Sequence, residues 1–328
     1  MTAPILAIRG LEIELHKKRH SVLPVRGAAF SVRSGESVCL VGESGSGKTV
    51  TALAIMGLLP PSFRIKSGSI SFEGLELTRL NRNELNRIRG RRLSMVFQEP
   101  MTALNPVFTI GYQIKEGIGA HERLTSKELN HRALDMLERV GMPDPWTAFN
   151  AYPHELSGGL RQRAMIAMAL SCHPDMLIAD EPTTALDVSL QARILGLLSE
   201  LRRDSGLALL LITHNLGVVA QIAERVIIVY AGKIVEEAAV LDLFDSPLHP
   251  YTKGLLESVP YFKAGYGEGC GDVRRLKSIP GNIPPLEAIP QGCPFEDRCS
   301  DVMDVCRRIE PMGINTARAH KVACHLYG

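Results

Sequence analysis

Apolar and polar positions change period along this chain, and the changes mark out its elements. Residues 5–15 alternate towards their end, as a half-buried strand does. A polar, basic link follows at 16–20, then a strand at 28–32 and a turn at Ser34-Gly35. Residues 38–41 are an unbroken apolar run, read as a buried strand. Residues 51–56 begin a helix that ends near Gly57, and Pro60-Pro61 breaks the chain. Residues 69–72 alternate before a Glu73-Gly74 turn. Residues 83–91 form a short, very basic helix, read as a solvated face. The strand at 93–97 ends at Gln98-Glu99-Pro100, and Pro100 and Pro106 bracket a loop. Residues 108–171 are mostly helical, with 126–141 clearly amphipathic. Strands follow at 176–179, 207–213 and 225–230, with a helix at 188–203 and a hairpin at Gly232-Lys233 returning through 234–236. Strand–helix alternation of this kind predicts a mainly parallel sheet covered by helices, here with a helical insertion.

Within that pattern, Gly42-Glu43-Ser44-Gly45-Ser46-Gly47-Lys48-Thr49 fits G-x-x-x-x-G-K-[ST] and lies between the strand at 38–41 and the next helix. That setting makes it a phosphate-binding loop. Glycine lets backbone N–H groups turn towards phosphate oxygens, and the helix N-terminus adds positive potential. Lys48 would reach the β- and γ-phosphates, and the Thr49 hydroxyl would ligate Mg²⁺. A second helix N-terminus with anion-binding features follows at Ser157-Gly158-Gly159, where Ser157 is a good N-cap. Alone it would be an ordinary capped helix. The next apolar strand, however, ends in Asp180-Glu181, and strands of α/β sheets place ligands at their carboxyl ends. One uncompensated buried carboxylate costs several kcal/mol, so two adjacent acids point to a role: Asp180 on Mg²⁺ through water, Glu181 on the attacking water. His214 ends a core strand and is a candidate for the γ-phosphate.

Composition narrows the picture. A chain of 328 residues suggests one large domain with an appendage, or two domains. Net charge is +2, so nothing global argues for nucleic acid. Residues 1–10 lack a basic stretch followed by an apolar core, and no apolar run approaches the roughly 18 residues of a membrane span. The expectation is a protein of the cytosol or of the cytosolic face of a membrane.

In order, 42–49, Gln98, 156–160, 176–181 and His214 resemble the ATP-binding cassette of ABC transporters over about residues 1–246. A lone phosphate loop is common among unrelated NTPases; the ordered set is far more specific. The resemblance implies an α/β P-loop cassette with a mainly parallel core sheet, antiparallel strands and a helical subdomain at about 101–172. It implies that two cassettes close head to tail on two ATP molecules. Ser157-Gly158-Gly159 would then bind the γ-phosphate held by the other subunit's loop. Gln98 would sense Mg²⁺ and touch the membrane subunit, while Glu181, His214 and Lys48 would be catalytic.

Three segments, 98–106, 152–159 and 179–187, resemble the ATPase subunits of dipeptide/oligopeptide importers, a group that includes nickel importers; 249–256 is similar to the start of that group's C-terminal extension. This implies a second, homologous ATPase subunit in a heterodimer, two transmembrane permease subunits, an extracytoplasmic solute-binding protein and a place on the cytoplasmic face of the inner membrane. Short peptides are the implied cargo, with nickel or another small solute as the alternative. A soluble ABC ATPase of translation or DNA repair would carry two cassettes or a long coiled-coil insertion, and neither is present. A P-loop kinase would not need 156–160. Three positions depart from the family: Leu160 in the signature, Asn215 after the histidine, and Leu15 and His16 where an aromatic ring would stack on adenine.

Cys39 and Cys172 lie in apolar contexts and are read as core. Five further cysteines fall in the last 59 residues, where Gly and Pro are frequent and little regular structure is expected. Cys293, Cys299, Cys306 and Cys324 are separated by five, six and seventeen residues, which matches no common zinc or ferredoxin spacing. A reducing compartment favours metal over disulfides, with scattered buried thiols as the alternative. The block 292–299 resembles the importer extension, which implies a 4Fe–4S iron–sulfur cluster on these four. Zn²⁺, with His320 or His325 replacing one Cys, is its rival. Cys270 stays unassigned.

Overall fold

The computed structural model describes residues 3–17, 20–183, 187–258, 278–316 and 320–328. Its strands are β1 (Leu6–His16), β2 (Ser21–Val32), β3 (Ser37–Val41), β4 (Phe63–Phe72), β5 (Leu75–Glu76), β6 (Leu93–Val96), β7 (Met176–Asp180), β8 (Ala208–Thr213), β9 (Arg225–Tyr230), β10 (Lys233–Ala239), β11 (Ile314–Asn315) and β12 (Lys321–Val322). Among the described residues they form an antiparallel sheet ordered β2-β1-β4-β5 and a larger sheet ordered β11-β12-β10-β9-β3-β8-β7-β6. From β9 to β6 the larger sheet is parallel throughout. Its other edge, β10 to β11, is antiparallel.

The central strands are apolar without a break because both of their faces are covered. Cys39, Val41, Leu177, Ala179, Leu209 and Leu211 face one core, shared with the helical insertion. Val38, Leu40, Met176, Ile178, Leu210 and Ile212 face the other, shared with the antiparallel sheet and helix Lys48–Ile55. Each fully buried Leu or Ile contributes about 1.5–3 kcal/mol. The insertion comprises helices Ile110–Gly119, Ser126–Arg139, Pro145–Asn150 and Gly158–Leu170. Thr125 and Glu128 close a capping box at the start of its amphipathic helix. Cys39 and Cys172 are buried in this core.

Two strands begin earlier than the pattern predicts, β2 at Ser21 rather than 28 and β4 at Phe63 rather than 69. Pro24, Gly27 and Gly68 interrupt the alternation there, and register shifts break the pairing of β1 with both neighbours. Pro24 is tolerated because β2 is the edge strand. The basic helix, Arg82–Ile88, is mostly exposed, as expected. Arg89 just beyond it is engaged. Its guanidinium donates to the Met56 and Gly57 carbonyls at 2.7 and 2.6 Å, which closes the C-terminus of helix Lys48–Ile55.

Described residues beyond 246 pack onto the same frame. Helix Pro250–Glu257 joins the first core through Tyr251 and Leu256, and β12 pairs with β10. No helix among the described residues is long and apolar enough to cross a membrane. Arg225, at the start of β9, ties the two sheets together: it donates to Glu36 at 2.8 Å, to Glu237 on β10, and to the Ser31 carbonyl of β2 at 2.5 Å. Burial opposes ionisation of Glu36, yet Arg225 holds its carboxyl below the ordinary value. That contribution to stability is present above the unfolded-state value and lost as pH falls through the folded one. Arg225→Met takes the ion-pair partner from the largely buried Glu36 and leaves Glu237 to Lys321 alone, and is expected to cost about 3 kcal/mol in urea unfolding. A loss under about 1 kcal/mol would reduce the network to a surface pair.

Candidate active site

The site is built where parallel strands end. The phosphate loop leaves β3, Gln98 follows β6, Glu181 follows β7 and His214 follows β8, all at the carboxyl edge of one sheet. Gly42 and Gly47 are required by space. A Cβ on Gly42 would overlap the Val229 carbonyl, and one on Gly47, at φ +96°, would overlap the Pro24 carbonyl. Lys48 is buried, and its ammonium donates to the carbonyls of Gly42 and Glu43 at 2.8 and 2.9 Å and to Ser46 Oγ at 3.2 Å. Burial lowers the Lys48 pKa, and the carboxylates of Glu181, Asp180 and Glu43 push it back up. Ser44, Gly45 and Thr49 are exposed along the same turn.

The structure brings three separate predictions together. Glu181 Oε1 lies 2.9 Å from His214 Nδ1, and Glu181 Oε2 accepts from Gln98 Nε2 at 3.3 Å. The Glu181 backbone has φ +46°, an uncommon conformation for a residue with a side chain; its N–H donates to the Ile212 carbonyl at 2.9 Å. Asp180 is 2% exposed, and its Oδ1 has no hydrogen-bond partner among the described residues. Burial raises the Asp180 pKa and the neighbouring Glu181 charge adds to it, while the Thr49 hydroxyl and Lys48 oppose. An orphaned buried carboxylate oxygen beside a threonine hydroxyl suits a hydrated divalent cation.

Ser157 caps helix Gly158–Leu170, its Oγ accepting the Leu160 N–H at 3.4 Å, and Ser157 and Gly158 are exposed. This helix packs on β6 and the insertion, whereas the phosphate loop sits over β3. The two anion-seeking helix ends thus belong to different parts of the molecule.

Residues 25–184 match the ABC transporter family, and residues 235–306 match the C-terminal region of oligopeptide/dipeptide transporters. The chain is 46% identical to the oligopeptide transport ATP-binding protein AppD of Bacillus subtilis (strain 168), over 98% of this chain and 97% of that protein. It is 44% identical to the dipeptide transport ATP-binding protein DppD of Haemophilus influenzae, over 98% and 95%. The chain belongs to the ATP-binding subunits of ABC-type oligopeptide/dipeptide transporters. Its cassette also superimposes on that of MJ0796, solved as a dimer in a post-hydrolysis state with ADP and Pi. The TM-score is 0.66 at 26% identity, over 72% of this chain and 98% of that one.

The departures of this ATPase subunit from its family have local explanations. Asn215 serves as the N-cap of helix Leu216–Ile222, accepting from Gly217 N–H at 2.9 Å and Val218 N–H at 3.4 Å, a task open to Asn and Asp alike. Leu160 is partly buried against the core. His16 ends β1, held by Ser21 Oγ at 2.9 Å and Glu14 at 3.2 Å. Two positioning groups escaped the sequence reading. Arg161 donates to the Pro153 and His154 carbonyls at 2.6 and 3.2 Å, bracing the turn before the signature. Gln162 is buried and donates to the Pro182 carbonyl at 2.7 Å, tying the signature helix to the end of β7. Both stand inside an apolar helical pattern, where a polar residue gives no sign of its partner.

In the tail, Cys293, Cys299, Cys306 and Cys324 face one small enclosed cavity. Burial, then the neighbouring cysteines, pushes the Cys293 thiol up to about 12. Burial likewise raises Cys299 and Cys324. The four converge, but among the described residues no set of three or more potential ligands is drawn round a single metal ion. His320 Nε2 faces Glu236 at 2.6 Å, and His325 Nε2 lies 2.9 Å from the Ile309 carbonyl. Cys270 lies outside the described residues. Gln162→Leu leaves the buried Pro182 carbonyl unsatisfied and is expected to destabilise by about 1–3 kcal/mol. An unchanged urea midpoint would show that the tether carries no load.

Proposed function

We propose that each of two ATP molecules is held between the phosphate loop 42–49 of one cassette and the Ser157-Gly158-Gly159 helix start of another. The observation that carries the reading is Glu181 held between Gln98 and His214, at the strand ends around Lys48. Lys48 meets the β- and γ-phosphates, Glu181 orients and deprotonates the attacking water, and His214 fixes the Glu181 carboxylate. Thr49 and Gln98, with Asp180 through water, would hold Mg²⁺, which would supply positive charge to the reacting phosphates. The Ser157 hydroxyl and the N–H groups behind it stabilise the γ-phosphate of the facing subunit.

The cassette, about 1–246 with its helical subdomain at 101–172, then acts as one of two homologous ATPase subunits, paired as a heterodimer. Residues 247–328 form its extension. Two permease subunits and an extracytoplasmic binding protein complete the complex, and the ATPase sits on the cytoplasmic face of the inner membrane. Short peptides are the cargo, by kinship with AppD and DppD. Close after Gln98 the surface exposes Met101, Val107, Phe108 and Tyr112, with the last two rings stacked at 4.6 Å. We assign that apolar patch to the permease contact.

Glu181→Gln is expected to keep ATP binding and lower phosphate release by about 10²- to 10³-fold. In that background ATP should drive pairing of the ATPase subunits, and adding Ser157→Arg should abolish it. Undiminished turnover in the first variant, or pairing that survives the second, would overturn the arrangement.

We propose further that Cys293, Cys299, Cys306 and Cys324 hold a 4Fe–4S cluster in a structural role. Four thiolates suit iron–sulfur ligation. Their convergence on one cavity supports this reading, as does His320 held by Glu236; His325 lines the same cavity, with its Nε2 at the Ile309 carbonyl. Anaerobically purified protein should contain about four iron and four acid-labile sulfide per chain. Stoichiometric zinc, or neither element, would reject it.

A further inference from the structure

Glu43, the second residue of the phosphate loop, is gripped by the tail. Its backbone N–H donates to Tyr251 Oη at 3.0 Å, and its carboxylate pairs with Arg298 Nη1 at 3.1 Å. Tyr251 stands on helix Pro250–Glu257 and Arg298 on the short turn Glu296–Arg298. The two partners therefore come from 208 and 255 residues away.

The bond to Tyr251 bears on chemistry through the rigidity of one peptide. The Glu43 N–H and the Gly42 carbonyl belong to the same planar unit. Tyr251 holds its N–H end, and Lys48 Nζ donates to its carbonyl end at 2.8 Å. Rotation of that plane would move the anchor of the lysine that meets the phosphates. Arg298 guards the same residue from its side chain. Only 6% of the Arg298 side chain is exposed; its Nε donates to the Pro280 carbonyl at 2.8 Å and its Nη1 also reaches Tyr230 Oη at 3.3 Å. The guanidinium lies over the rings of Tyr230 and Phe295, at 5.7 and 5.9 Å. Tyr230, Tyr251 and Phe295 pack on one another with centroids 4.7 to 5.5 Å apart, and Phe295 also lines the cysteine cavity. The brace thus rests on an aromatic cluster shared by β9 and the tail.

We propose that Tyr251 and Arg298 are positioning residues of the nucleotide site, so that the C-terminal extension sets the shape of the phosphate loop. Neither touches a phosphate; both act through Glu43. The inference needs ATP binding to a single chain and is independent of how cassettes pair.

The test is MgATP affinity of the full-length chain, read with a fluorescent ATP analogue, with thermal melting as the check on folding. Tyr251→Phe removes only the hydroxyl and is expected to weaken binding about 3- to 10-fold. Arg298→Met and Glu43→Gln should each weaken it by similar factors. The Glu43→Gln/Arg298→Met double variant should be no worse than the weaker-binding single, because both remove one interaction. Arg298→Lys should recover part of the loss. Affinity within twofold of the parent in Tyr251→Phe and Glu43→Gln, or multiplying losses in the double variant, would overturn the proposal. If Arg298→Met fails to fold, Tyr251→Phe and Glu43→Gln still decide it.

Discussion

The constraint on which the site depends is a backbone fitted between two other backbones. Phosphate is met by N–H groups of a tight turn, and the turn must lie against the sheet from which it springs. At Gly42 the neighbour is the Val229 carbonyl of β9, and at Gly47 it is the Pro24 carbonyl of β2. Neither position has room for a Cβ. The loop's shape is therefore imposed by the larger sheet on one side and the antiparallel sheet on the other. This gives the antiparallel sheet a mechanical part beyond covering a core.

The charges are arranged around that fixed loop. Lys48 faces Glu181, Asp180 and Glu43, and burial makes the ionised form costly for Lys48 and Asp180 alike. A parallel sheet supplies this crowding without further design, since adjacent strands all finish on the same edge. Gln98, Glu181 and His214 lie far apart along the chain and meet because β6, β7 and β8 are neighbours in the sheet. The positive φ at Glu181 aims a carboxylate that the strand itself would have directed elsewhere, and such strain is concentrated at working sites.

Legibility in the sequence follows from how local each contact is. The phosphate loop, Asp180-Glu181 and the Ser157 cap are contiguous because one turn or strand end performs each task, so residue type and spacing expose them. The parallel sheet is readable for the same reason: strands buried on both faces carry short apolar runs that end at turn residues or acids. Edges read poorly. The early parts of β2 and β4, up to the middle of each strand, carry Pro24, Gly27 and Gly68, whose use depends on a strand having an unpaired side or a bulge. Side chains that tie distant segments left no trace. Gln162 to Pro182, Arg89 to Met56 and Arg298 to Glu43 are each fixed by tertiary placement, and no periodicity encodes a partner.

The tail's attachment follows from one buried acid. Without β12, β10 would leave the larger sheet with an open edge, a form that proteins generally cover or charge. Glu236 on that strand is buried, and a bare carboxylate there would cost several kcal/mol. Its oxygens take the Leu248 N–H at 2.7 Å, the His249 N–H at 3.0 Å and His320 Nε2 at 2.6 Å, all from residues beyond 246. Glu237 next to it takes Lys321 at 2.9 Å besides Arg225. The last strand of the cassette thus carries acids that the tail satisfies, and the helix that answers Glu236 at its N-terminus presents Tyr251 to the phosphate loop. Edge protection, burial of the acid and bracing of the loop are therefore all met by residues beyond 246: β12 covers β10, Leu248, His249 and His320 take the acid, and Tyr251 braces the loop.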